Sequence, residues 1–281
     1  MKKTFRAALQ DFQASLSSVY RGSGNIVVVN NEKGGVGKTT SAVHVACAAV
    51  DAGLKVLCID VDPQGNFTRT MNGADLSQAY VTDNNFISAA DLFYDKLNKD
   101  KTYPIRENLH LVAATDEMYT VDESGDKSRV IAAYQNVKRI MTDGAFDLCI
   151  IDTPPTVGNR QLAALLLADV LVMPLEVDAF SIKGLEKQLT RLTTSRRAGG
   201  LPMPKVSLMP SRVDLRYKLT KDQLASLSEV KVARVTPPIK HSGAISHAIS
   251  AGKATWDVPV SSRKQVTEML ISAYTSALFL Y

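Results

Sequence analysis

Cysteine is scarce, with only Cys47, Cys58 and Cys149 in 281 residues. Each lies in an apolar stretch and no two form a Cys-x-x-Cys pair. An odd, scattered set suits buried thiols of a protein in a reducing cytoplasm better than a disulfide framework. Long hydrophobic runs are also missing. None reaches the roughly 18 residues that would suggest a membrane span. Met1-Lys2-Lys3-Thr4 carries the charge of a secretory leader, but Gln10, Asp11 and Gln13 interrupt any apolar segment behind it, so secretion is not expected. Internal repeats and low-complexity tracts are absent. What remains is an ordinary globular composition, 45% apolar and 22% charged, at a length that α/β folds commonly fill as one domain.

Charge of one sign is concentrated rather than scarce. Residues 1–180 hold 17 Lys and Arg against 22 Asp and Glu, a balance of −5, whereas residues 181–281 hold 16 against 6, a balance of +10. A basic final third on a mildly acidic body suits a surface that faces a polyanion, although solvated helix faces would give the same count.

Phe5, Ala8, Leu9, Phe12, Leu16, Val19 and Tyr20 recur at three- and four-residue spacing, which predicts an amphipathic helix within residues 1–20, closed by the flexible joint Gly22-Ser23-Gly24. The polar face carries few cations, so the helix is expected to pack on protein rather than lipid. From Asn25 onward, apolar runs at 26–29, 56–59, 109–113, 148–151, 170–174 and 206–209 alternate with helical stretches such as 39–52, 129–142 and 181–197. Continuous Val/Ile/Leu runs between helices predict an α/β fold, a mostly parallel sheet covered on both faces. Ligands of such folds bind at the carboxyl ends of the strands.

Three motifs fall at those ends. Asn30-Asn31-Glu32-Lys33-Gly34-Gly35-Val36-Gly37-Lys38-Thr39-Thr40 joins the first strand to a helix. Its glycines let successive backbone N–H groups form an anion cradle at the helix N-terminus, with Lys38 in reach of β/γ-phosphates and the Thr39 hydroxyl available to Mg²⁺. Asp60-Val61-Asp62-Pro63-Gln64-Gly65-Asn66 closes the second strand, and alternation places Asp60 and Asp62 on one side. Phe146 to Ile151 is an apolar strand ending in Asp152, followed by Thr153-Pro154-Pro155. Such an aspartate holds magnesium, usually through water.

The phosphate loop lacks the usual first glycine, since Glu32 stands there, and opens instead on Lys33-Gly34-Gly35. This resembles the deviant Walker A loop of the ParA/MinD family of ATPases, with the short ParA/Soj-like branch the better match because the residues before the loop are few. Further segments resemble the family: Pro174 to Leu185, Leu208 to Arg216, and Val235 to Lys253. The resemblance runs from Asn25 to Tyr281 and implies a P-loop ATPase domain at 25–281 preceded by the helix and linker of 1–24, too few residues for a winged-helix domain. It implies ATP and Mg²⁺ bound by Lys33, Gly34, Gly35, Val36, Gly37, Lys38, Thr39 and Thr40. Lys33 is then expected to cross to the partner's phosphates in an ATP-dependent homodimer, in the manner of an arginine finger. Asp60 and Asp152 are expected to support the metal with Thr39, and Asp62 to position the attacking water. Asp62 to Thr68 and Thr153 to Gly158 become the two switch loops.

ParA relatives bind DNA without sequence preference, and Arg216 matches one such family position. A second family arginine has no counterpart, because Gly243-Ala244-Ile245 occupies its place. Arg212, Lys218, Lys221 and Lys240, with His241 nearby, are candidates for the remaining charge, since phosphate contacts need only cations suitably placed. No aromatic stacking platform is evident, which favours duplex over single strands. The resemblance further implies a ParB-like stimulating protein and a cytoplasmic, nucleoid-associated location, with the cargo unspecified: DNA or a protein cluster. A MinD-like membrane ATPase would need a basic amphipathic tail. Here Val266, Met269, Leu270, Ala273, Tyr274, Ala277, Leu278 and Tyr281 make a core-like stripe with no cation after Lys264. An iron–sulfur reductase would need cluster cysteines outside the core, a tyrosine kinase a terminal tyrosine cluster, and a GTPase an Asn-Lys-x-Asp motif. None is present.

Overall fold

A computed structural model describes residues 5–72, 85–123, 125–227, 230–259 and 261–279, without the side chains of 179–183. Met1 to Thr4 and Tyr281, which entered the sequence reading above, lie outside the described residues.

Eight strands form one sheet in the order β3-β4-β2-β5-β1-β6-β7-β8. They are β1 (Asn25–Val29), β2 (Val56–Asp60), β3 (Tyr103–Arg106), β4 (Leu109–Val112), β5 (Leu148–Asp152), β6 (Val170–Leu175), β7 (Lys205–Pro210) and β8 (Arg234–Val235). Every neighbouring pair is parallel except β3 with β4. The connections that make this possible are helices: α1 (Phe5–Tyr20), α2 (Lys38–Asp51), α3 (Asn66–Asn72), α4 (Thr120–Glu123), α5 (Ser128–Asp143), α6 (Asn159–Leu167), α7 (Ala179–Ala198), α8 (Lys218–Leu227), α9 (Gly243–Ser250) and α10 (Arg263–Leu278). The apolar runs become strands because alternate residues bury on opposite faces. Val27, Val29, Cys58 and Ile150 enter one core with α1, α2 and α10. Ile26, Val28, Ile59, Cys149 and Ile151 enter the other, with α5, α6 and α7. All three cysteines are buried thiols.

Helix α1 docks its Phe12, Leu16 and Tyr20 stripe into the first core. The Tyr20 hydroxyl donates to the Leu278 carbonyl at 2.9 Å, and the Phe12 ring meets Phe279 edge-on. The apolar face of α10 is thereby covered by protein. Among the described residues no helix is long and apolar enough to cross a membrane.

Strand register creates the site. β5 lies between β1 and β2, so Asp152 pairs with Val29 on one side and Asp60 on the other. The loop leaving β1, the aspartate ending β2 and the aspartate ending β5 are therefore brought to one point. β6, on the other side of β1, delivers the residues after Leu175 to the same end.

Candidate nucleotide site

The loop 30–37 turns from β1 into α2 through Gly35 (φ 75°) and Gly37 (φ 99°), left-handed conformations that a side chain would strain. Gly37 is the residue before the first helical position, so the free N–H groups of α2 open into the loop. The rest of the loop is held by its neighbours. The Asn31 side chain donates to the Pro174 carbonyl and accepts from the Lys33 N–H, and Ser211 donates to the Val36 carbonyl at 2.6 Å. Glu32, which displaces the usual glycine, is ion-paired with Arg191 of α7 at 2.6 Å.

The two lysines differ sharply. Lys38 is buried, and its amine donates to the Lys33 carbonyl at 3.1 Å. Burial lowers its pKa against the opposing pull of Asp152 and Asp62. Lys33 is 44% exposed, and its amine lies 2.8 Å from Asp178 and 2.7 Å from Glu176. Those two hydrogen bonds, Asp178 first, raise its pKa.

Three carboxylates face this loop. Asp152 is buried, and its Oδ2 accepts from the Thr39 hydroxyl at 2.6 Å while Oδ1 has no partner. Asp60 is fully buried, and both its oxygens are used, accepting from the Asp62 N–H at 3.1 Å and the Thr68 N–H at 2.8 Å. Burial pushes Asp60 up to about 7. Burial and the neighbouring Asp60 push Asp152 well above the carboxylate range, because two buried anions side by side disfavour each other's charge. Asp62 lies closer to the surface, with Oδ1 accepting from the Gln64 N–H. Two buried carboxyl groups beside a hydroxyl, one of them with an unpartnered oxygen and both held short of full ionisation by burial, fit a hard divalent cation that keeps most of its water and would supply the missing positive charge. No cluster of three or more His, Cys, Asp or Glu suited to a metal occurs among the described residues, and such a water-rich site does not require one.

The remaining candidates divide into two places. Arg212 adopts a left-handed φ of 56°, donates to the Gly35 carbonyl at 3.1 Å, and lies 3.6 Å from Glu176. It shares a cavity of about 280 Å³ with Lys240, beside the phosphate loop and walled by Ile239, Ile245 and Tyr274. Arg216 and Lys218 stand instead on the exposed stretch leading into α8, where Arg216 is 84% exposed and forms a fork-like pair with Asp214. The four cations are thus not one cluster. Glu176 and Asp178 as partners of Lys33, and Ser211 and Ile239 as walls of the cavity, carried no signal in the sequence. Only the sheet order β1-β6-β7-β8, which brings the segments after β6, β7 and β8 beside the loop leaving β1, reveals them.

A glycine-rich loop between a parallel strand and a helix, with carboxylates ending the adjacent strands, defines a P-loop nucleotide-binding protein. A family model described as an AAA domain matches residues 24–198. The chain belongs to that family, among the ATPases of the ParA/MinD type with the deviant loop. It is 28% identical over 253 residues to the protein IncC of Escherichia coli, covering 86% of this chain and 66% of that one. It is 32% identical over 173 residues to the sporulation initiation inhibitor protein Soj of Bacillus subtilis, covering 59% and 64%. The chain spans just under two thirds of the length of these relatives. Its fold matches that of an ATP complex of Cyanothece McdA with a TM-score of 0.76 at 22% identity, over 92% of this chain and 97% of that one.

Proposed function

We propose that this chain is a magnesium-dependent ATPase that dimerises on ATP, binds duplex DNA without sequence preference, and positions a DNA cargo together with a ParB-like stimulating protein. The observation that carries the reading is the pairing of two lysines in one loop, Lys38 turned inward and Lys33 turned outward. Lys38 exchanges its carbonyl partner for the phosphates of the bound nucleotide, at the N-terminus of α2. Lys33, leaving Glu176 and Asp178, reaches the phosphates held by a second copy. Asp152, Asp60 and the Thr39 hydroxyl hold the magnesium, which neutralises phosphate charge when bound. Asp62 orients the attacking water. The cavity walled by Ile239, Ile245 and Tyr274 takes the nucleoside end.

Names of relatives support the partition role: besides IncC and Soj, a chromosome partitioning protein ParA of Myxococcus xanthus is 28% identical over 214 residues. The +10 balance of residues 181–281 supports the polyanion partner. Gel-shift titrations with ATP, ADP and no nucleotide on two unrelated duplexes test the reading. Binding is expected with ATP only and equally to both duplexes. Log affinity should fall linearly with log salt, at roughly −0.9 per phosphate contact. Arg216→Glu is expected to weaken binding to both duplexes alike, with ATP-driven dimerisation intact. Tight binding with ADP, or preference for one duplex, contradicts the DNA part. Binding to liposomes in place of DNA would support the MinD-like alternative.

A further inference from the structure

Residues 114–123 and Asp126, between β4 and α5, touch the first segment that the family resemblance makes a switch, Asp62 to Thr68, and the end of the second, Thr153 to Gly158, where it enters α6. At one end the Ala114 N–H donates to Thr68 Oγ1 at 3.0 Å, and the Gln64 side-chain amide donates to the Tyr119 hydroxyl at 2.8 Å. At the other end the Asp122 carboxylate accepts from the Arg160 N–H at 3.2 Å and from its Nε at 2.7 Å. The Asn159 amide adds donors to the carbonyls of Val121 and Asp126, at 3.3 and 3.0 Å. Between the two ends, Met118 and Val121 are fully buried, which anchors the segment in the core.

The contact with the second loop is close. A Cβ placed on Gly158 would lie 2.4 Å from the Asp122 carboxylate, so the backbone at 158 runs directly against that group. Asp122 also acts as a borrowed cap. Gly158 precedes α6 and has no side chain to bind the free N–H groups there, and the carboxylate that does so comes from α4. Arg160 is buried, yet its Nη1 has no partner. A buried cationic donor left unpaired is costly.

We propose that Tyr119 and Asp122 are positioning residues for ATP hydrolysis. They join the first switch, residues 62–68, to the second switch and the first residues of α6, 153–160, through the segment 114–123, so that the two close together when nucleotide binds. The inference rests on the ATPase reading given above. Neither residue lies in the three sequence motifs, and neither is required to touch the nucleotide.

Hydrogen–deuterium exchange of the full chain, with and without Mg·ATP, tests this alongside steady-state turnover. In the wild type both loops should gain protection together. In Tyr119→Phe, which removes one exposed hydroxyl, loop 153–160 should still gain protection while loop 62–68 gains clearly less. Turnover should fall about fivefold, the size of one hydrogen bond, with KM and the melting temperature unchanged. Asp122→Asn should also lower kcat, and the double variant should be no slower than the slower single one, as expected for groups acting as one unit. Unchanged turnover and unchanged protection of both loops in Tyr119→Phe would overturn the inference alone. So would an Asp122→Asn variant that loses thermal stability but keeps wild-type kcat. No ATP-induced protection in the wild type would overturn the ATPase reading and this inference with it.

Discussion

Asp62 has one oxygen on the Gln64 N–H, its charge acts on Lys38 and Asp152, and in the proposed function it orients the attacking water. Asp62→Ala is expected to bind Mg·ATP normally and turn it over about 10²- to 10⁴-fold more slowly, the usual contribution of a group that positions or deprotonates water. Phosphate release, with nucleotide affinity measured in parallel, checks both halves. His44 is the other informative single residue. Its Nδ1 lies 2.8 Å from the Thr40 carbonyl, which makes that nitrogen the donor, and Nε2 accepts from the Thr255 N–H at 3.2 Å and faces the Thr255 hydroxyl at 2.7 Å. The arrangement suits neutral imidazole only. Burial pushes its pKa from 6.5 down to about 4. The unfolded chain therefore binds a proton before the folded one does, so this stability is present above pH 6.5 and lost as pH falls toward 4. The loss should approach about 3 kcal/mol, and His44→Gln should flatten that part of a denaturation-versus-pH profile. The meeting of Lys38, Asp60 and Asp152 at one point was legible in the sequence because each ends or follows a strand at a fixed spacing. Glu176, Asp178 and the position of Arg212 were not, since their roles depend on which strand lies beside which.

At the level of elements, the buried parallel strands announced themselves as short unbroken apolar runs, and β1, β2, β4, β5, β6 and β7 all fall on the expected stretches. β3 and β8 did not. β3 is an antiparallel edge strand with alternating burial and a proline, and β8 has two residues, so neither carries an apolar run. The stripe of α1 was legible from its spacing, but its destination against α10 was not, because that contact joins residues more than two hundred and fifty positions apart. Leu16, fully buried in the first core on the inward face of α1, is the clearest probe of this docking. Leu16→Ala is expected to destabilise the chain by about 2–5 kcal/mol, as buried leucine truncations do, with ATP affinity unaltered. Urea unfolding together with nucleotide titration separates the two.

Over the whole molecule, the carboxyl ends of β1, β2, β5 and β6 gather an acidic, lysine-containing nucleotide face, while the basic surplus belongs to the final third of the chain. In the proposed dimer, a second copy sharing the nucleotide face would double the cations offered to a duplex. In the proposed function Lys33 links nucleotide binding to dimerisation. In the free chain it is neutralised by Glu176 and Asp178, and in the dimer it is expected to trade both for the partner's phosphates. Sedimentation velocity with and without Mg·ATP, on the wild type, Lys33→Ala and Lys38→Ala, tests this most directly. The wild type should become a dimer only with ATP, Lys38→Ala should neither bind nucleotide nor dimerise, and Lys33→Ala should bind ATP yet remain a monomer. An ATP-dependent dimer formed normally by Lys33→Ala would contradict the account.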